Sequence, residues 1–215
     1  EKIEGYTNSV NFWLSDSSYK IDCTEKLKLL KNMFSQSRVS LVYGAAGTGK
    51  STVINHISHF WNEKDKIYLA NTNPAVNNLK RRVTAKNSDF MTISKFLSRR
   101  NSHVSCDLLV IDECSTISNQ DMVSILRKID CKMLVLVGDV FQIESILFGN
   151  WFDIIRRFVN KSAILELKKP YRTTNENLLT IWNRVRNLDI AILEPMVKEK
   201  YSVRLDKSVL EEPND

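Results

Sequence analysis

Short uninterrupted apolar runs alternate along this chain with stretches of helical periodicity. VSLVY (39–43), KIYLA (66–70), residues 107–112, 132–137 and 163–167 each have strand length and are bounded by turn or charged residues, and residues 90–92 form a shorter candidate. Between them the pattern predicts helices over roughly 49–62, from Asn73-Pro74 to the basic Lys80, Arg81 and Arg82, from 93 through Leu97, over 120–129 and over 143–158. Upstream, Thr24 is a fair N-cap for TEKLKLLKNMF, which spaces Leu27, Leu29, Leu30 and Phe34 on one face. Residues 174–192 are helical in pattern again, and residues 1–23, with Ser15, Ser17 and Ser18, read as a polar segment leading in. Strands that are apolar throughout, alternating with helices, imply an α/β fold whose parallel sheet is sandwiched by α-helices on both faces. There is no internal repeat and no low-complexity tract.

Composition narrows the class without changing that picture. With 215 residues, 43% hydrophobic and 26% charged, the chain is globular in composition, which excludes disordered, collagen-like and disulfide-scaffold readings. No apolar run approaches the roughly 18–20 residues of a membrane span. The start, EKIEGYTNSV, has no apolar core of a leader peptide and no initiator Met, so the chain reads as a cytoplasmic piece of a longer protein. Cys23, Cys106, Cys114 and Cys131 form no C-x-x-C pair and read as reduced thiols. His56 and His59 lie three apart on one expected helix, with no third ligand nearby in sequence. A net charge of +6 and a pI near 9.1 admit a nucleic-acid partner.

The chemistry concentrates after three of the apolar runs. Gly44-Ala45-Ala46-Gly47-Thr48-Gly49-Lys50-Ser51, followed by Thr52, fits G-x-x-x-x-G-K-[ST] between an expected strand and an expected helix. Glycines there let backbone N–H groups turn around phosphate oxygens, and the following helix adds its positive end. Lys50 would reach the β- and γ-phosphates, and the Ser51 hydroxyl would ligate Mg²⁺. Residues 108–111 then deliver Asp112 and Glu113 to a strand's C-terminal end, where ligands of open α/β sheets bind. Asp112 is placed to hold Mg²⁺, and Glu113 to act as general base toward water; alone, the pair would equally cap a helix. A third run ends in Gly138-Asp139-Val140-Phe141-Gln142. Gln142 fits a sensor of the γ-phosphate or the attacking water as well as it fits a polar helix start.

GAAGTGKST, IDECS, VGDVFQ and KPYR, in that order and spacing, resemble motifs I to IV of superfamily 1 helicases, nearest the RecD-like and Upf-like branch. The resemblance covers residues 24–182 and implies the first RecA-like P-loop NTPase domain of such a motor, using ATP and Mg²⁺. It implies that Gln142 couples the γ-phosphate to the nucleic-acid side, and that Arg172 stabilises transition-state charge as an arginine finger; otherwise Arg172 is one more cation of a basic KKPYR cluster. LANTNPAVNNL (69–79) resembles motif Ia, and Met91-Thr92-Ile93-Ser94 a Thr-rich segment on the same face, which makes Asn71, Thr72, Asn73 and Thr92 candidates for single-stranded DNA or RNA. As sequence alone, both segments are turn and N-cap chemistry. Lys80, Arg81, Arg82, Arg99 and Arg100 are either electrostatic contacts or solvated helix faces.

Two departures matter. The upstream Gln that reads adenine in many members is not evident, with Lys26 in the matching region, so selectivity for adenine is not implied. Beyond the ATPase domain expected at 24–172, residues 173–215 hold a helical extension leading toward a second RecA-like domain that this sequence lacks. The expected function is therefore that of an ATP-dependent helicase or translocase motor domain, weakly active alone, with that second domain as a partner and no membrane. A P-loop ATPase that acts as a signalling or assembly switch is the alternative, and a non-catalytic nucleic-acid-binding module a further one.

Overall fold

The strands form where the apolar runs are, because residues buried on both faces of a sheet leave no polar side to alternate with. The computed structural model describes residues 21, 26–27, 30–31, 37–100, 103–139, 151–168, 171, 180 and 184. Its strands are β1 (Val39–Gly44), β2 (Lys66–Ala70), β3 (Ser88–Thr92), β4 (Val104–Ile111), β5 (Ile129–Gly138) and β6 (Ile164–Leu167). Its helices are α1 (Lys50–Phe60), α2 (Asn73–Arg82), α3 (Ile93–Ser98), α4 (Asn119–Lys128) and α5 (Trp151–Ile155). Residues 26–27 and 30–31, within the expected first helix, are helical. The strands make one sheet in the order β3-β2-β4-β5-β1-β6, with every pairing parallel.

The side-chain period of two sorts the core onto two faces. Val42, Tyr68 and Val135 pack with Leu30, Val53, Ile54, Ile57, Val76 and Leu79, from α1, α2 and the upstream helical residues. Leu41, Tyr43 and Leu136 pack with Phe96, Met122, Ile125 and Phe152, from α3, α4 and α5. Tyr68 also ties β2 to α1: its hydroxyl donates to Ser58 Oγ at 2.6 Å, and Ser58 donates to Ile54 O at 2.6 Å. No helix among the described residues is long and apolar enough to cross a membrane.

Several boundaries differ from the pattern. Ile129, expected to end a helix, begins β5: its N–H still reaches Ile125 O, but its φ of −121° and ψ of 140° are extended. β4 and β5 both start earlier than their apolar runs, with Val104↔Ile129, Ser105↔Asp130 and Cys106↔Cys131 in register. Those extensions alternate buried and exposed positions, so a search for uninterrupted apolar residues passes over them. Asp112 lies just past β4, although its N–H still pairs with Leu69 O at 2.8 Å. Of the expected 143–158 helix, residues 151–155 are helical and 156–158 form a turn, while 143–150 lie outside the described residues. The chain divides after Pro170 into two compact units. In the second, Thr180 and Arg184 are helical, and the rest of the expected 174–192 helix lies outside the described residues.

Candidate functional site

Parallel pairing sends all six strand C-termini to one edge, and register decides which residues meet there. Leu41, Leu136 and Ile111 share one level, and Ile111 is level with Leu69. One to three residues further on, the same edge carries Gly44, Asp139, Asp112 and Asn71, with Thr92 beside Ala70. The P-loop strand β1 and the acidic strand β4 are not neighbours. β5, which ends in Gly138-Asp139, runs between them.

The loop from Gly44 to Lys50 is shaped by its glycines. Gly47 at φ 81° and Gly49 at φ 90° adopt the left-handed conformation that a Cβ disfavours. Gly44 is required for a different reason, since a Cβ there would lie 2.5 Å from Leu167 O and 2.8 Å from Thr48 Oγ1. Thr48 closes the turn by donating its hydroxyl to Ala45 O at 2.8 Å. Gly49 caps α1 without a side chain, so no cap side chain bonds the amides of the helix's first turn, where Ser51 and Thr52 sit. That leaves the backbone dipole of α1 free to face an anion. The Lys50 ammonium bends over the loop and donates to Gly44 O at 2.6 Å and Ala45 O at 3.1 Å.

Across β5, Asp112 and Glu113 diverge in environment. Burial pushes the Asp112 carboxyl up to about 6; the Glu113 amide and the Lys50 charge favour its ionised form, while the Glu113 charge opposes it. Glu113 N–H donates to Asp112 Oδ1 at 2.9 Å. Glu113 itself is at φ 56°, ψ 35°, left-handed for a residue with a side chain, and that side chain does not cap the 3-10 turn Cys114–Thr116 that follows. Helix capping by the acidic side chain is thus ruled out for Glu113, and its carboxylate is left partly exposed at the edge.

This donor set fits a nucleoside triphosphate with a hard divalent ion. The cradle excludes any Cβ at Gly44, an ammonium sits over it, and Ser51 and Asp112 could supply oxygen ligands. A divalent cation would also compensate the carboxylate that burial now penalises. Gln142 and Arg172 lie outside the described residues.

The candidate nucleic-acid residues share the edge, and Asn71, Thr72 and Thr92 are engaged there. Thr72 Oγ1 accepts from Ala75 N at 3.3 Å, capping α2, and Thr92 Oγ1 accepts from Lys95 N at 3.3 Å, capping α3. Asn73, in the first turn of α2, is exposed. Asn71 Nδ2 donates to Thr116 O and Thr116 Oγ1, each at 3.4 Å. Along α2, Arg81 Nε bonds Asn77 O at 3.3 Å and Arg82 Nε bonds Asn78 Oδ1 at 3.1 Å, the pattern of a solvated helix face. His59 Nε2 pairs with Thr84 Oγ1 at 3.0 Å while His56 is buried, so the two histidines face different surroundings.

The sequence alone does not single out three residues here: Thr116, Leu167 and Trp151, whose Nε1 donates at 2.9 Å to the carbonyl of Ile117, the residue that ends the acidic turn. Thr116 left a faint signal as a hydroxyl three residues after Glu113. Leu167 acts through its backbone carbonyl and Trp151 through a bond to a residue 34 positions away, neither of which composition encodes.

A family model described as "AAA domain" matches residues 24–201. An uncharacterised protein of Methanocaldococcus jannaschii is 28% identical over 207 residues, covering 81% of this chain and 17% of that protein. Among solved structures, two coordinating Pif1 helicases on forked double-stranded DNA match at TM-score 0.58 and 20% identity, over 80% of this chain and 49% of that one. Bacteroides Pif1 bound to single-stranded DNA matches at TM-score 0.55 and 19% identity, over 80% and 47%. The Pif1 helicase of Candida albicans matches at TM-score 0.52 and 20% identity, over 78% and 44%. These likenesses establish a shared RecA-like fold, and the chain spans about half the length of those structures.

Proposed function

The chain belongs to the AAA domain family, and on that premise we propose that it is the first RecA-like motor unit of a nucleic-acid-dependent ATPase of the helicase or translocase kind. One observation carries the reading: a glycine cradle with Lys50 and Ser51, the Asp112-Glu113 pair, and the β2 and β3 ends with Asn71, Thr72, Asn73 and Thr92 all meet on one sheet edge. A phosphate-cleaving site and a polar rim able to take a sugar-phosphate backbone are therefore neighbours within one rigid sheet.

The chemistry follows from charge and position. Backbone amides of the loop and the α1 N-terminus bind the triphosphate, and Lys50 leaves its loop carbonyls to reach the β- and γ-phosphates. Ser51 and Asp112 would hold Mg²⁺, which neutralises charge building on the β,γ oxygens when bound. Glu113 accepts a proton from water as its oxygen bonds to the γ-phosphorus and the bond to the bridging oxygen breaks, releasing ADP and phosphate. By the resemblance described above, Gln142 senses the γ-phosphate and Arg172 meets transition-state charge. A second RecA-like domain would close the site, and its motion against this one would move a bound single strand. Solved Pif1 relatives bound to single-stranded DNA support that partner class.

The test is steady-state ATP hydrolysis by the full-length protein with and without single-stranded DNA and RNA, beside Lys50→Ala. Stimulation by one polymer, lost in that variant, is the expected outcome. Hydrolysis that needs Lys50 but ignores both polymers would replace the motor with a switch ATPase.

A further inference from the structure

Glu113 occupies a conformation that its own backbone resists. At φ 56° a side-chain-bearing residue crowds the following carbonyl, at a cost of about 1–2 kcal/mol. Three hydrogen bonds oppose that cost: Glu113 N–H to Asp112 Oδ1 at 2.9 Å, Thr116 N–H to Glu113 O at 2.9 Å, and the Thr116 hydroxyl to Glu113 O at 2.8 Å. With its proton committed to Glu113 O, Thr116 Oγ1 offers only lone pairs to its other side. The side-chain amide of Asn71 meets them there, and meets Thr116 O as well. Both of those partners are acceptors, so the Asn71 NH₂ must face them; a flipped amide would set oxygen against oxygen.

Asn71 is the first residue past β2, exposed, and next to Thr72 and Asn73 on the polar rim. Its two bonds are long and reach water, so another acceptor at the rim competes for the amide at little cost. Trp151 Nε1 holds Ile117 O, the next residue along, at 2.9 Å, so the 3.4 Å bonds of Asn71 are the looser tie on this turn. Resting on the motor reading above, we propose that Asn71 and Thr116 are positioning residues for Glu113, and that a single-stranded nucleic-acid backbone, by taking the Asn71 amide, sets the position of the general base. Phosphate and sugar oxygens are acceptors without an N–H donor of their own, as this exchange requires. Hydrolysis is thereby coupled to the polymer through one amide, one hydroxyl and one strained backbone position.

The experiment is ATP turnover by the full-length protein and its Asn71→Ala, Thr116→Val and Thr116→Ser variants, with oligo(dT) or oligo(U) at saturating concentration and with none. For Asn71→Ala, the ratio of stimulated to unstimulated turnover is expected to fall toward one even when the oligonucleotide is saturating. For Thr116→Val, kcat is expected to fall about tenfold with KM for ATP within about twofold, because a base misplaced by about 1 Å loses up to about 100-fold. Thr116→Ser, which keeps the hydroxyl, is expected to recover most of that loss. An undiminished ratio in Asn71→Ala, or one restored simply by more oligonucleotide, overturns the proposal while leaving the motor reading intact. Equal losses in Thr116→Val and Thr116→Ser overturn it too, because a purely structural role would move both. If the parent protein is not stimulated by either polymer, the motor reading fails with the polymer's part in this coupling. The valine–serine pair then decides, from unstimulated turnover, whether Thr116 positions Glu113.

Discussion

The two ends of the sheet both carry lysines and aspartates, and they treat them in opposite ways. At the strand N-termini, Lys66 is 1% exposed, and its ammonium donates to Trp61 O at 2.9 Å, Asn62 O at 2.8 Å and Lys64 O at 2.5 Å, closing the C-terminal end of α1. Burial pulls its pKa down, and the neighbouring Asp65, Glu63 and Asp107 charges pull it back up. Asp107 pairs with Lys132 at 2.6 Å and accepts the Asp65 N–H at 3.1 Å. At the strand C-termini, Lys50 rests on its own loop's carbonyls, Asp112 is pushed up to about 6, and Glu113 sits in a strained conformation. One end spends its charges on holding elements together. The other keeps them poorly served, so that a ligand completes them better than the protein does.

That contrast breaks if substitutions at the two ends have the same consequences. Glu113→Gln is expected to lower turnover by about 100-fold to 10,000-fold, the usual worth of a positioned base, with an unchanged urea midpoint. Lys50→Ala is expected to cost about 100-fold to 1,000-fold in turnover, as loss of a donor to transition-state charge does, again without loss of stability. A clear drop in urea midpoint for either would mean that the C-terminal end of the sheet is structural after all.

At the other end, Lys66→Met is expected to destabilise by about 3 kcal/mol, because three carbonyls, that of Trp61 in a buried bond, lose a charged donor. Turnover per folded molecule should stay within about twofold; a larger fall would place Lys66 in the chemistry. The smallest effect belongs to Asp107. Its bond to Lys132 and to the Asp65 amide, with the nearby positive charges, outweighs burial and holds its carboxyl below the ordinary value of about 3.9. A carboxyl with a depressed folded pKa contributes stability above its unfolded value and loses it as pH falls through the folded one. Denaturation from pH 5 to pH 2 should therefore show Asp107→Asn less stable than the parent by about 0.2–1 kcal/mol near pH 5. The two should converge at the acid end, and a constant gap would show that the effect is not charge.

Much of the strand C-terminal end was legible because its chemistry is written in consecutive residues. Gly44 to Ser51 specify turn, cradle and cation together, and Asp112-Glu113 follow directly on the apolar residues that place them. What stayed hidden was reach. Asn71 and Thr116 meet across 45 positions of sequence. Thr72 and Thr92 fit phosphate contact and helix capping equally well on paper, and the structure shows both capping. The early starts of β4 and β5 were missed because half of each extension faces solvent, so their period differs from that of the buried strands.

By itself the sequence determined the class of the fold, the α/β alternation and the phosphate-binding loop, since each depends on local spacing and on apolar residues too continuous to face water. Only the tertiary structure decided that β5 runs between the P-loop strand and the acidic strand, and that Leu167 O forbids a side chain at Gly44. It alone decided that Glu113 is held left-handed by a threonine within reach of β2. Strand order and register are set by how whole surfaces pack, and no short window of residues contains that information.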